Sequence, residues 1–265
     1  MELTGQSKAL IEKHVASIEW IRDALLGMDA LAKPVMGIRD WDDAVIINIG
    51  GKKVIASTDG PYKKRLVTKS ALIHASTDVI VKGGKPLFAL DNLSGPEDDI
   101  KEMLFALKKQ ALGIELPILG GNTMPVEGEP LCSLTVIGEL ILDEPIRDSG
   151  AKKGDVLMVL GEPIWGEMDE RIRKAKVLFK AWNSILEAGI VIHAAKDVTK
   201  GGLVSSVYEV CTKSKVDYSL EKNIPYSLTR NLDNFLISIS EKNVSKIEKI
   251  CSKNKCPAVR VGSVF

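Results

Sequence analysis

The residues of this sequence best suited to chemistry are aspartates near the predicted ends of strands and helices. Four of them are candidates for one shared site: Asp42, Asp43, Asp59 and Asp78. Carboxylates that meet repel one another unless a cation lies between them, and such hard oxygen ligands suit Mg²⁺, commonly with phosphate oxygens completing its shell. Alternatively, each aspartate belongs to an ordinary turn, as in Asp-Asp before a strand or in Thr-Asp-Gly-Pro. The spacing leaves both interpretations open.

The elements around these aspartates predict that they approach one another. Two β-rich runs, residues 44–49 and 53–58, are separated by Gly50-Gly51, which predicts a tight hairpin. Because paired strands lie only ~4.8 Å apart, the outer ends of this hairpin bring three of the four aspartates together. The fourth lies in the next predicted helix, residues 63–82, and is a candidate for a further ligand.

Two glycine-rich loops are the second signal. Residues 197–202 (Asp-Val-Thr-Lys-Gly-Gly) open directly into a predicted helix, whose exposed N–H groups and positive end favour anions. There Asp197 could hold a metal, and Thr199 and Lys200 could reach a phosphate. Alternatively, Thr199 or Asp197 simply caps the helix and the glycines allow tight packing. Residues 120–123 (Gly-Gly-Asn-Thr) are a weaker candidate, because this pattern is more often a turn.

Other standard sites are missing from the sequence. It contains no phosphate-binding loop, no dinucleotide-binding glycine loop and no serine nucleophile elbow. Its three histidines are solitary, and for His14 and His193 we expect core or interface packing rather than catalysis. We expect His74 to pair with Asp78, one helical turn away, or to make a surface contact.

The composition bounds the class of protein. The chain has 265 residues, 45% of them apolar, and a net charge of +1, which disfavours a broadly basic nucleic-acid binder. Its tryptophans do not alternate with basic residues, as they would for base stacking. No apolar run reaches ~18 residues, and the first five residues do not resemble a signal peptide. Four scattered cysteines form no disulfide framework, so we expect a cytoplasmic protein without membrane contact.

Strands and helices alternate along the chain, with hairpins in the first half, which indicates an α+β or mixed α/β fold. A long amphipathic helix is predicted over residues 1–30 and another over residues 167–188. The polar segment 143–154 is rich in glycine and proline and is the best candidate for an internal boundary.

Taken in order, these motifs resemble the superfamily of aminoimidazole ribonucleotide synthetase (PurM-like proteins). Its members include thiamine-monophosphate kinase, selenophosphate synthetase, formylglycinamidine synthetase and a hydrogenase maturation protein. The matching segments follow the family's order over nearly the whole chain: residues 42–46, 57–60, 77–87, 120–123, 135–138, 150–155, 197–203 and 261–264. Each segment alone is a weak signal, and their ordered series is specific for the fold and for ATP binding.

The resemblance implies two α+β domains, residues 1–147 and 148–265, the second an α/β sandwich. It implies that the first domain pairs with its twin in a homodimer through a shared β-barrel, and that ATP and Mg²⁺ bind in the cleft. The metal ligands carried over from the family are Asp42, Asp43, Asp59 and Asp78. The nucleotide-binding residues carried over are Lys63, Lys64, Gly120, Gly121, Asn122, Asp197, Thr199, Lys200 and Gly201.

The family's shared chemistry is phosphorylation of a substrate oxygen by ATP, which requires positioning and charge neutralisation more than a covalent nucleophile. The resemblance therefore implies an enzyme that phosphorylates or activates a small molecule whose identity the sequence does not give. The family's glycine-rich loop with a reactive cysteine is absent, which argues against selenophosphate synthesis. A C-terminal cysteine motif is absent as well, which argues against carbamoyl transfer.

Two substitutions and a short second domain favour a different hypothesis. Trp41 stands where a glycine usually precedes the aspartate pair, and Asn122 stands where an acidic residue is common. The alternative is therefore a non-catalytic nucleotide-binding scaffold or sensor, again a homodimer.

Overall fold

The computed structural model describes residues 5–265, which form two five-stranded sheets covered by helices. The mixed helix and strand content confirms the predicted α+β class. One sheet belongs to the first half of the chain and the other to the second half, and a segment without helix or strand, residues 141–154, connects them. The exact division at residues 147 and 148 remains a prediction. Within the described part of the chain, no helix is both long enough and apolar enough to cross a membrane.

The first sheet has the strand order β1-β2-β5-β3-β4. Its strands are β1 (Val45–Ile49), β2 (Lys52–Lys63), β3 (Gly84–Gly95), β4 (Ile118–Pro125) and β5 (Leu131–Leu140). Only β3 and β4 are paired in parallel, and β4 is an edge strand. The helices of this half are α1 (Gly5–His14), α2 (Glu19–Leu25), α3 (Asp29–Ala32), α4 (Lys64–Val67), α5 (Ala71–Val81) and α6 (Glu97–Ile114), with a 3₁₀ turn at Ala16–Ile18.

The second sheet has the order β7-β9-β6-β10-β8, and every pairing in it is antiparallel. Its strands are β6 (Asp155–Leu160), β7 (Ala194–Asp197), β8 (Tyr218–Leu220), β9 (Phe235–Ser240) and β10 (Ala258–Val264). The helices are α7 (Met168–Glu187), α8 (Gly202–Ser214) and α9 (Val244–Lys253), with a 3₁₀ turn at Glu241–Asn243.

The hairpin predicted at Gly50-Gly51 is present. Both glycines have positive φ, +58° and +83°, as a two-residue hairpin turn requires. Val45 pairs with Ala56 and Ile49 pairs with Lys52, so the register is continuous up to the turn. The outer ends of the hairpin therefore lie side by side.

Helix α5 lies between the two halves and is buried along its whole length. Leu72 and Val79 belong to the core of the first half, whereas Ile73 and Ile80 belong to the core of the second half. A helix with apolar residues on two opposite faces must bury both faces against other elements. Helix α5 is therefore packed between the two sheets. Two of its polar residues, His74 and Asp78, face the space between the two halves.

Two long helices predicted from the sequence are interrupted in the structure. Strand β2 continues to Lys63, so the helix predicted over residues 63–82 consists of α4 and α5 instead. The helix predicted over residues 1–30 is divided into α1, a 3₁₀ turn, α2 and α3. Near the 3₁₀ turn, the Ser17 hydroxyl donates to the carbonyl of Lys13 and so competes with helical hydrogen bonds. Residues 1–4 lie outside the described residues.

Candidate functional site

A polar cavity of about 330 Å³ lies between the two halves of the molecule. Residues from β2, α5, β7 and α8 line it, together with the segment before β1, the loop before α8, the end of α1 and the 3₁₀ turn that follows α1. Its polar and aromatic lining residues are His14, Trp41, Asp42, Asp43, Ser57, Thr58, Asp59, His74, Asp78, Lys196, Thr199, Lys200, Ser205, Ser206 and Glu209. The four aspartates predicted as metal ligands all lie on this one cavity.

Three buried or half-buried carboxylates converge, and we call them the carboxylate cluster: Asp43, Asp78 and Asp197. Asp43 and Asp78 line the cavity, and Asp197 lies beside them without lining it. One ligand oxygen of each lies within 4.8 Å of the others. They come from separate elements, namely the segment before β1, the last turn of α5 and the end of β7. Hydroxyl groups orient two of them, because Ser57 Oγ donates to Asp78 at 2.7 Å and Thr77 Oγ1 donates to Asp197 at 2.6 Å.

The carboxylate cluster fits a hard divalent cation. Asp43 Oδ2 and Asp197 Oδ1 are buried and have no hydrogen-bond partner among residues 5–265. Burial, reinforced by Asp197 and Asp43, raises the pKa of Asp78 well above its usual value, and burial together with Asp43 raises the pKa of Asp197 to about 7. A cation of charge +2 would supply the missing partners and relieve the repulsion.

Asp42 lies on the cavity but points toward the connecting segment. Its Oδ1 accepts a hydrogen bond from the backbone N–H of Asp148 at 3.0 Å, and Arg147 Nη1 lies 3.7 Å from its Oδ2. Burial raises the pKa of Asp42 to about 6, although nearby Lys82 opposes the shift. Asp42 is therefore not part of the carboxylate cluster as defined above.

Asp59 is held by its own set of partners. Its Oδ1 accepts from the backbone N–H of Gly60 at 2.7 Å, and its Oδ2 lies 3.2 Å from His74 Nε2. The other ring nitrogen of His74 contacts Asp233, which lies in the second half. Burial opposes ionisation of both groups, but the contacts outweigh it: they hold the pKa of Asp59 well below its usual range and raise that of His74. His74 is therefore buried between two carboxylates, and the predicted surface contact is wrong.

A second group of buried charges, which we call the lysine cluster, adjoins the first. It consists of Lys82, Lys196 and Lys213 around the fully buried Asp148. Lys213 Nζ lies 2.8 Å and Lys196 Nζ 3.5 Å from Asp148, which Lys82 also contacts. Burial opposes ionisation of Asp148, but the three lysines outweigh it and hold its pKa far below the usual range.

The loop before α8 borders the cavity from the second half. Gly201 has a φ of +83°, and a Cβ at this position would lie 2.1 Å from Ser205 Oγ. That hydroxyl is buried, lines the cavity and has no hydrogen-bond partner within the described chain. Gly201 is the residue that precedes α8, and no side chain caps the helix, so the capping alternative for Thr199 or Asp197 is wrong.

Of the nine predicted nucleotide-binding residues, Thr199 and Lys200 line the cavity. Asp197 and Gly201 neighbour residues that line it but do not line it themselves. The remaining five do not line it either: Lys63, Lys64, Gly120, Gly121 and Asn122. Lys63 pairs with Glu129 at 2.7 Å. Lys64 pairs with Asp99 at 2.6 Å. The other three belong to the exposed edge strand β4.

Sequence reasoning missed Lys196, Ser205, Asp148 and the ion pair between His74 and Asp233. Lys196 stands directly before Asp197, so its position beside a predicted ligand was an available signal. The partners of Asp148 and His74 come from distant parts of the chain, and no local pattern marks Asp148, His74 or Ser205.

Two family models match the chain. The model of the N-terminal domain of AIR synthase related proteins matches residues 41–140, and the model of their C-terminal domain matches residues 167–265. The uncharacterized protein MJ0799 of Methanocaldococcus jannaschii is 40% identical over 96% of this chain and 86% of that protein. A selenide, water dikinase of Dechloromonas aromatica is 30% identical over 68% of this chain, which spans only 58% of that enzyme's length.

Solved structures share the fold. PurL of T. maritima complexed with ATP aligns with a TM-score of 0.76 and 16% identity, over 96% of this chain and 48% of that chain. HypE in the HypE–HypF complex aligns with a TM-score of 0.70 and 18% identity, over 94% of this chain and 93% of that chain. The predicted two-domain α+β architecture is thereby confirmed.

Proposed function

Because this chain belongs to the family of AIR synthase related proteins, we propose that it binds ATP with Mg²⁺ in the cavity and phosphorylates an oxygen of a small molecule. The observation that carries this proposal is the carboxylate cluster, in which two buried oxygens lack a hydrogen-bond partner among the described residues. The similarity to a PurL structure complexed with ATP supports the choice of nucleotide.

In this proposal Asp43, Asp78 and Asp197 hold the metal, and Asp42 and Asp59 are further ligands or neighbours on the same cavity. A bound Mg²⁺ would neutralise charge on the phosphate oxygens. Ser205 and Lys200 offer a hydroxyl and an ammonium group to the phosphates. Transfer breaks the bond between the γ-phosphorus and its bridging oxygen and forms a bond from that phosphorus to the substrate oxygen. The protein's part is to position both reactants and to exclude water.

Calorimetric titration with the non-hydrolysable methylene analogue of ATP tests the binding step. We expect binding that requires Mg²⁺ and that weakens at least ~10-fold in Asp78→Asn, because one ligand charge is removed. Asp169→Asn is the matched control, since this carboxylate is exposed and pairs only with Lys109 in the described structure. Equal Mg²⁺-dependent affinity in wild type and Asp78→Asn would contradict the proposal.

A non-catalytic scaffold or sensor is the second candidate, and Trp41 favours it. This residue lines the cavity and has a φ of +56°, a conformation in which a bulky side chain is uncommon. Its indole occupies space beside Asp42 and Asp43 that a glycine would leave free. Binding of Mg²⁺ and ATP without ADP formation on any hydroxyl, carboxylate or amide substrate would favour the scaffold, and robust turnover would exclude it.

We also infer a homodimer, with a shared β-barrel built from the first sheets of two copies. Strand β4 leaves one edge of its sheet without a strand neighbour in the described chain. Beside it Phe105, Leu112 and Leu119 are each about 70% exposed around a largely apolar cavity of about 720 Å³. A second copy would cover this surface and extend the sheet. Sedimentation equilibrium that gives only the 28.8 kDa monomer at micromolar concentration would contradict the dimer.

A further inference from the structure

Lys196 belongs to both groups of buried charges. The residue is only 5% exposed, and its ammonium contacts Asp43 of the carboxylate cluster. It also lies 3.5 Å from Asp148 and 3.5 Å from Glu209. Unlike Lys82 and Lys213, it lines the cavity. Lys196 is thus the member of the lysine cluster that a ligand in the cavity would meet.

Asp43 is the main partner of Lys196, because other lysines neutralise its remaining neighbours. Lys213 lies 2.8 Å from Asp148 and 2.7 Å from Glu209, closer than Lys196 in both cases. Lys82 contacts Asp148 as well, and its Nζ lies 3.8 Å from Asp43 Oδ2, farther than the contact between Lys196 and Asp43. Removal of Asp43 would therefore leave the Lys196 ammonium buried with only weak, shared partners.

A metal in the carboxylate cluster would compete with Lys196 for Asp43. One carboxylate cannot give its full charge to both a divalent cation and an ammonium group, and the two cations repel each other. A buried ammonium group that loses its partner is costly unless another anion replaces it. The cavity beside Lys196 also contains Lys200 and the unpartnered hydroxyl of Ser205, which suit an anion such as a phosphate.

We propose that Lys196 exchanges partners when ligand binds: it neutralises Asp43 in the ligand-free protein and pairs with a phosphate oxygen once a metal takes Asp43. This inference rests on the proposed function, because it assumes that metal and triphosphate share the cavity. In this inference Lys196 binds a phosphate, and it competes with the metal for Asp43 before the phosphate is present. A purely structural lysine would have neither property.

Two titrations of Lys196→Gln test the exchange, because the expected effects have opposite signs. Glutamine keeps a hydrogen-bond donor near Asp43 but removes the charge. By calorimetry we expect Mg²⁺ alone to bind at least ~3-fold more tightly, since its competitor is gone. We expect the methylene analogue of ATP with saturating Mg²⁺ to bind at least ~10-fold more weakly, since a charged phosphate contact is lost. A folding defect would weaken both affinities together.

Lys174→Gln is the matched control, since Lys174 is a largely buried lysine that pairs with Glu170 at 2.8 Å and does not line the cavity. We expect both of its affinities to stay within ~2-fold of wild type. If both affinities of Lys196→Gln fall together, or neither changes, Lys196 is structural and the inference is overturned. If wild type binds neither Mg²⁺ nor the analogue, the proposed function fails instead.

Lys196→Arg keeps the test decisive if Lys196→Gln does not fold, as judged by circular dichroism. Arginine retains the charge and can pair with a carboxylate through two hydrogen bonds. We expect Mg²⁺ alone to bind more weakly than to wild type, and the analogue with saturating Mg²⁺ to bind within ~3-fold of wild type. Unchanged binding of Mg²⁺ alone, or loss of the analogue, would overturn the exchange.

Discussion

The carboxylate cluster and the lysine cluster are neighbours with opposite electrostatics. In the first, Asp78 and Asp197 face another carboxylate, and their pKa values are raised. In the second, Asp148 faces three lysines, and its pKa is lowered. Both groups are buried at the contact between the two halves of the molecule, so burial alone does not explain the difference.

This difference distinguishes a buried carboxylate that forms a structural ion pair from one that would bind a ligand. The three lysines neutralise the charge of Asp148, as the partners in a structural ion pair do. Asp43 and Asp197 each retain a buried oxygen without a hydrogen-bond partner within residues 5–265. A folded protein rarely leaves such atoms unsatisfied, so this group is the one that a ligand would complete.

The largest expected effect comes from removing the centre of the lysine cluster. Asp148→Asn leaves three buried lysines without their shared counter-charge, so we expect the free energy of unfolding to fall by about 3–5 kcal/mol. Urea unfolding at pH 7 without divalent cations measures it. A loss below about 1 kcal/mol would mean that solvent or other carboxylates neutralise these lysines, and the contrast between the clusters would disappear.

The same substitution in the carboxylate cluster should have the opposite sign. Asp197→Asn keeps an oxygen to accept the Thr77 hydrogen bond but removes a charge that burial and Asp43 disfavour. At pH 8 without metal we expect the free energy of unfolding to rise by about 1–3 kcal/mol. Urea unfolding beside the Asp148→Asn variant measures it, and destabilisation of both variants would contradict the prediction.

The two clusters should also respond to pH in opposite directions. The raised pKa of Asp197, about 7, means that metal-free stability falls as pH rises from about 4, the usual aspartate value, to about 7. The lowered pKa of Asp148 contributes stability above pH ~4, and this contribution is lost progressively as pH falls below that value. Thermal unfolding from pH 3 to 8 measures both trends.

The Asp197→Asn variant separates the contribution of the carboxylate cluster to that profile. In this variant we expect the decline in stability between pH 4 and 7 to become shallower, because the group that titrates is gone. Saturating Mg²⁺ should flatten the same region in wild type, since a bound cation replaces the proton. An unchanged slope in the variant would assign the decline to other groups.

The smallest expected effect concerns lysines outside both clusters. Lys63→Ala and Lys64→Ala remove cations that pair with surface carboxylates and do not line the cavity. We expect each to change the affinity for the ATP analogue with Mg²⁺ by less than ~3-fold. Lys200→Ala is the comparison, because Lys200 does line the cavity. A tenfold loss of affinity in Lys63→Ala or Lys64→Ala would support the predicted role of that lysine at the phosphates.

Local signals in the sequence predicted a large part of this arrangement. The glycine pair at residues 50–51 predicted the hairpin, and the hairpin placed Asp43 and Asp59 on one cavity. Helix boundaries were predicted less well, because the periodicity of residues 63–82 continues through the end of β2 and across two helices. The lysine cluster was not predicted at all.

The sequence by itself determined the α+β class, the order of the motifs and the types of side chain available for a metal site. Tertiary structure alone decided which charges meet: Lys196 contacts Asp43 across 153 positions, and His74 contacts Asp233 across 159. The physical reason is that turn and strand propensities act over a few residues, whereas the pairing of buried charges depends on which faces of two distant sheets pack against α5.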